Sequence, residues 1–216
     1  KHHLMSLQLR SHYRSRSLDL IEFSNMHFYD GKLDLLPHFD QMNRRQPGIM
    51  YEKVDGIWHK NTNRKEAEHI IWRLEQIYAA DPAKSVGIVS FNAQQQNLIA
   101  ELVEDAFAGK SYPGLEHLII KNIENIQGDE RDVIIFSTTY GPDEEGKLHM
   151  QFGSLNQEHG ENRLNVAVTR ARERIYLVTS LYPQQLHVED SKNEGPRMFK
   201  EYLSYALQVS EGSYQP

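Results

Sequence analysis

The chain has 216 residues, no cysteine, and 24 Lys and Arg against 30 Asp and Glu, for a formal net charge of −6. The length suffices for a proper core in one large or two small domains, the acidic balance excludes a globally basic nucleic-acid binder and leaves such contacts to a local patch, and zero Cys excludes disulfide frameworks, thiolate metal sites and cysteine nucleophiles. No apolar run reaches membrane-span length and the opening KHHLMSLQLRSHYRSR has no signal-peptide apolar region, so a soluble, cytoplasmic protein with no membrane partner is expected. A first residue of Lys rather than Met suggests a piece of a longer protein.

In chain order, residues 1–60 read as an irregular N-terminal segment entering the domain, with loop chemistry in DGKLDLLPHFDQMNRRQPG and a Pro-punctuated passage to GIMYEKVDGIWHK. From residue 61 to 216 the pattern is that of one α/β domain, and the whole chain reads as one domain. NRKEAEHIIWRLEQIYAA places Ala67, Ile70, Ile71, Leu74 and Ile77 at helical spacing and stops at Asp81-Pro82. SVGIVSF is a short apolar run of the kind buried in a parallel sheet, and AQQQNLIAELVEDAFAG is a helix closed by Gly109. HLIIKNI and DVIIFSTTY are the second and third strands; ENRLNVAVTRARE reads as a helix running straight into the strand RIYLVTSL, and PRMFKEYLSYALQVS as a closing amphipathic helix. Strands alternating with helices predict a mainly parallel β-sheet flanked by helices in three layers.

On such a sheet ligands bind beyond the carboxyl ends of the strands, which directs attention to SFNAQ, NIQGDERD, the acidic turn after the third strand, and NVAVTRAR. The acidic turn, GPDEEGKL at 141–148, nearly fits the phosphate-cradling pattern G-x-x-x-x-G-K-[ST]. Chemistry rejects the match: Leu148 stands where a Mg²⁺-binding hydroxyl is needed, Pro142 has no N–H, and Asp143, Glu144 and Glu145 would face like-charged phosphates. A nuclease reading around Asp143, Glu145 and Lys147 fares no better, because these carboxylates crowd into one turn instead of spreading over neighbouring strands. The eleven histidines are scattered and the adjacent pair, His2-His3, is terminal, so no metal site is expected.

On a helical wheel of ENRLNVAVTRAR, Leu164, Val168 and Ala171 share a core stripe, Arg163 and Arg170 project together from a flank, and Arg172 points to the opposite side. Stacked guanidiniums beside a sheet match phosphate oxygens; a solvated basic face pairing with Glu161 and Glu173 fits the spacing equally well.

GENRLNVAVTRARERIYLVTS resembles the last signature of superfamily 1 nucleic-acid helicases, in the branch of the nonsense-mediated-decay helicase and the nuclease-helicases of DNA replication. Further signatures follow that family's order: LRSHYRSR resembles the Tyr-Arg segment that opens the second motor lobe, IEFSNMHFYDGKL the stretch after it, NRKEAEHI an Asn-x-x-Glu-Ala helix start, VGIVSFNAQQ the strand ending in Pro-Tyr-x-x-Gln, and NIENIQGDERDVIIFS the Gln-Gly-x-Glu-x-Asp signature. FGSLNQEHGENRLNVAVTRAR is similar to the large multidomain bacterial members, and the resemblance covers about residues 8–181.

The resemblance implies a RecA-like fold and the second lobe of a two-lobed motor, with ATP and Mg²⁺ held in the cleft against a preceding RecA-like lobe and single-stranded DNA or RNA as track. The phosphate loop and the magnesium-binding carboxylates belong to that first lobe, expected before Lys1, so the chain alone is expected to be inactive. Carried over by position, Arg170 matches the arginine finger that reaches the γ-phosphate, worth roughly 10³–10⁵ in rate, and Arg14 a second cation there. Glu130 matches a carboxylate near the ribose or the phosphate-linked water, Gly128 a close backbone approach, and Phe91 the ring that stacks on adenine, with Ser90 departing from the family's Pro. Gln94 matches a further residue of the nucleotide cleft and polar coupler, and Gln127 and Thr169 couplers to the nucleic-acid groove. Arg170, Glu130 and Phe91 are expected to line one open edge. The alternative reading is a degenerate lobe retained as a non-catalytic nucleic-acid-binding scaffold.

Overall fold

A computed structural model describes residues 11–12, 15–35 and 46–215. Its centre is a five-stranded, all-parallel sheet in the order β3-β7-β6-β4-β5, formed by β3 (Ile49–Lys53), β4 (Val86–Ser90), β5 (Ile119–Asn122), β6 (Arg131–Ser137) and β7 (Ala171–Thr179). A parallel pair, β1 (Ser11–His12) and β2 (Asp34–Leu35), stands apart from it. Helices cover both faces in the three-layer α/β arrangement of a RecA-like domain.

The strands alternate with period two, and both resulting faces are apolar, as a sheet buried on both sides requires. Val86, Ile88, Val133, Ile135 and Val178 pack under α2 (Arg64–Ala80) and α3 (Ala93–Phe107). Val89, Ile134, Phe136, Ile175 and Leu177 pack on the other side with α1 (Glu22–Phe28), α4 (Gly160–Val168) and α5 (Gly195–Glu211). The α2 register follows the apolar spacing, with Ala67, Ile70, Leu74 and Ile77 buried and Ile71 half-buried at the margin. The crossover from β5 to β6 carries no helix. It runs over the sheet as a loop that buries Ile123 and Ile126 and ends at Glu130.

Two expectations are corrected here. The tract up to residue 60 is not simply irregular: it contributes α1 and the edge strand β3, and Leu20, Phe23 and Ile49 enter the core. The second concerns NVAVTRAR, where α4 stops at Val168 and β7 begins at Ala171, so Arg170 sits in the link and Arg172 on a strand. Ala171 is buried as the helical stripe required, but it reaches the core from β7.

Since all five strands run the same way, the sheet has an amino edge, where β6 and β7 are entered after Glu130 and Arg170, and a carboxyl edge, where β4, β6 and β7 give way to Phe91, Thr138 and Ser180.

Candidate functional site

At the amino edge, Arg170 is fixed by its backbone: its N–H donates to the Ala167 carbonyl (3.1 Å) and its own carbonyl accepts from Arg131 N–H (3.2 Å). The side chain folds back on α4, with Nε donating to the Val166 carbonyl (2.8 Å) and Nη2 to Thr169 Oγ1 (3.1 Å). That hydroxyl donates in turn to the Asn165 and Val166 carbonyls, both at 3.0 Å. The guanidinium therefore rests at the carbonyl end of a helix, where a cation is favoured.

Glu130 precedes β6 directly and lies at this same edge. Its carboxylate is 3.9 Å from Arg172 Nε, and Asp132 is 3.6 Å from Arg172 Nη1. Glu173 holds Lys84 (2.9 Å) and Arg16 (2.5 Å), and Arg16 N–H donates to the Arg172 carbonyl (2.6 Å). The edge thus gathers Arg16, Lys84, Arg170 and Arg172 among Glu130, Asp132, Glu173 and Asp81, the last 3.1 Å from Lys84, and its guanidiniums are of the kind that match phosphate oxygens. Arg14 lies outside the described residues. Arg172 is a partner of the edge carboxylates and not the opposite-facing helical arginine that the wheel placed. Gln127 and Gly128 are exposed in the crossover loop leading to Glu130; Gly128 has φ +88° with no heavy atom within 4 Å of a Cβ, so its backbone conformation, rather than crowding by protein atoms, calls for glycine.

Phe91 stands at the other edge and is buried, 2 % exposed, with its ring centroid 5.2 Å from Phe199 and 6.3 Å from Phe136. The assignment as an adenine-stacking ring, and the expectation that it shares an edge with Arg170 and Glu130, are therefore overturned. The chain leaving β4 turns this side chain inward onto α5. Gln94, on the first turn of α3, is exposed at the carboxyl edge, far along the strands from Glu130.

The carboxyl edge carries a polar layer that motif matching passed over. Gln95 is buried, accepting from Asn63 N–H (2.7 Å) and donating to the Asn63 carbonyl (2.9 Å) and Ser137 Oγ (3.0 Å). Glu66 is fully buried and accepts from Ser137 Oγ and Thr139 N–H, both at 2.7 Å. Burial pushes its carboxyl up to about 7, against the opposing pull of those hydrogen bonds. The Asn-x-x-Glu spacing of NRKEA was a signal for this cap, since Asn63 accepts from Glu66 N–H at 3.2 Å.

Above this layer opens a cavity of about 920 Å³ bordered by Trp58, Asn61, Gln94, Tyr140, Lys147 and His149. The Trp58 and His149 rings are 5.5 Å apart. The 141–148 turn closes one side, tied by the antiparallel bridge Pro142↔Leu148. Asp143 Oδ1 accepts the N–H groups of Glu145 (3.1 Å) and Lys147 (2.8 Å), and Gly146 sits at φ +77°. These N–H groups, which a phosphate cradle would offer to its ligand, are taken by the turn's own carboxylate.

The AAA domain family matches residues 1–182. The chain belongs to that family. It is a superfamily 1 helicase motor domain, in the branch of the Sen1-like helicases. It is 37% identical over 211 residues to "Uncharacterized ATP-dependent helicase MG140" of Mycoplasma genitalium, covering 91% of this chain and 18% of the relative. It is 23% identical over 205 residues to "Helicase sen1" of Schizosaccharomyces pombe, covering 82% of this chain and 11% of the relative. The motor domain thus spans less than a fifth of these helicases. A solved C-terminal domain of a possible DNA helicase from Lactobacillus superposes with a TM-score of 0.46 at 14% identity, covering 84% of this chain and 96% of that one. No helix among the described residues is long and apolar enough to cross a membrane, and none of their His, Asp and Glu side chains form a group of three placed to hold a metal ion.

Proposed function

We propose that this motor domain is the second lobe of an ATP-dependent helicase, meeting ATP with its amino edge and single-stranded nucleic acid with its carboxyl edge. The observation that carries the reading is the convergence of Arg170 and Glu130, from two separate signatures, on one edge among Arg16, Lys84 and Arg172. ATP supplies the transferable γ-phosphoryl group and its Mg²⁺ belongs to the preceding lobe. Among this chain's residues, Arg170 exchanges the α4 carbonyls for phosphoryl oxygens when the lobes close, and so stabilises charge that spreads during transfer. Glu130 orients a ribose hydroxyl or a water, and Arg14 adds a second cation. Gln127, in the crossover loop between the two edges, and Thr169, at the amino edge where it holds the Arg170 guanidinium, act as couplers, while Gln94 faces the cavity. Trp58 offers a ring and Asn61, Gln94 and Lys147 polar groups of the kind that hold a nucleotide strand by stacking and backbone contact.

In the full-length helicase, Arg170→Ala is expected to lower single-turnover ATP hydrolysis at saturating single-stranded nucleic acid by on the order of 10²-fold or more, with a much smaller effect on nucleotide affinity. Arg163→Ala is the control and should stay within about tenfold of wild type, because the structure does not stack Arg163 with Arg170: its Nη1 donates to the Ser154 and Glu158 carbonyls at 3.2 and 3.3 Å. Lys at 170 should rescue poorly, because an ammonium cannot reproduce a bidentate fork. A loss confined to nucleotide affinity would refute the finger and favour a non-catalytic scaffold.

A further inference from the structure

We infer that the acidic turn at 141–148 is a strap that guards the carboxyl-edge cavity by occupying imidazole nitrogens, those of His59 and His149, that strand phosphates would engage. The inference rests on the proposal that this cavity takes nucleic acid.

Two carboxylates of the turn meet histidines that neighbour Trp58 in space or in sequence. Asp143 Oδ2 lies 2.8 Å from His149 Nε2, whose ring neighbours the indole, and Glu144 Oε1 lies 3.2 Å from Nδ1 of His59, the next residue along the chain. A third tie is made by the backbone, where Trp58 N–H donates to the Pro142 carbonyl at 2.9 Å. The geometry is self-contained: Asp143 folds the turn, and Glu145 remains exposed beside it. Lys147, within the same turn, borders the cavity itself.

A carboxylate oxygen and a phosphate oxygen are alternative acceptors for the same imidazole or ammonium donors. The Glu144–His59 pair is open to water, with side chains 65 % and 56 % exposed, so it contributes little to folding and breaks at small cost. An incoming strand must displace these carboxylates or be repelled by them. Strands that bring several phosphates at once displace them best, and an isolated base gains nothing from doing so.

The test is equilibrium anisotropy of fluorescein-labelled 20-nucleotide oligothymidylate (DNA) and oligouridylate (RNA) with the 216-residue chain. The Glu144→Gln/Glu145→Gln variant is expected to bind about 3- to 10-fold more tightly at low salt, an advantage that shrinks as salt screens it. Gln94→Ala/Lys147→Ala should weaken binding in the wild-type and the neutralised background alike. Removing two exposed carboxylates on α3, Glu101→Gln/Glu104→Gln, should do much less. No tightening at 144/145 while the cavity variant still weakens binding overturns the strap and leaves the cavity standing. Equal tightening from α3 also overturns it, since net charge would then be the cause. Cavity variants without effect, or no binding by any variant, overturn the cavity reading and the strap with it.

Discussion

Glu66 is held among Ser137, Thr138, Thr139 and Asn63 with no cation beside it in the hydrogen-bonded set. The unfolded chain titrates it near the ordinary 4.5, whereas the folded protein releases the proton at about 7. Between these values the folded state holds a proton that the unfolded state has lost. The stabilisation is complete below about pH 4.5 and fades as pH rises through 7, by about 3 kcal/mol for a fully buried group. Chemical denaturation from pH 4.5 to 8 should show this fall in the wild type, and Glu66→Gln should flatten it; parallel pH curves for the two proteins would disprove the buried proton. Single residues also mark the limit of what the sequence discloses. Position after a strand located Phe91 and Gln94 at a sheet edge, but the direction in which the chain turns there decides that Phe91 enters the core and Gln94 the solvent. That turn depends on α5, more than a hundred residues away. The shared edge of Arg170 and Glu130 follows from chain position, since each directly precedes a strand and β6 pairs with β7.

Among the elements, α2, α3 and α5 were plain from apolar periodicity, and β4 and β6 from short continuous apolar runs, because each carries enough buried positions to declare itself. β3 has one fully buried residue, Ile49, and α1 has seven residues, too few for either period to register. The α4–β7 junction misleads because Ala171 continues the helical stripe after the helix has ended. Thr169 sets that end: its hydroxyl draws in two carbonyls of α4 and accepts from Arg170. Thr169→Val keeps the shape and removes these bonds, and is expected to cost about 1 kcal/mol in denaturant unfolding, with Thr169→Ser recovering most of it. An unchanged midpoint in the valine variant would mean that the hydroxyl does not secure the junction.

For the whole molecule, the near-miss phosphate loop lies at the edge away from Arg170, and its N–H groups are committed to Asp143. The purified chain should therefore show no Mg²⁺-dependent ATP turnover with or without single-stranded nucleic acid, as read by phosphate release. Turnover that survives repurification and disappears on mutation of this chain would overturn the two-lobe reading. β6 starts beside Glu130 and ends at Ser137, whose hydroxyl is bonded to Glu66 beneath the cavity. At about 3.3 Å per residue, this strand spans on the order of 20 Å. It is laddered to β4 on one side and β7 on the other and roofed by apolar side chains above and below, so sliding it alone would break hydrogen bonds on both flanks. Glu130 and the polar layer beneath the cavity are thus fixed to one stiff plate, and neither end of β6 shifts without the sheet.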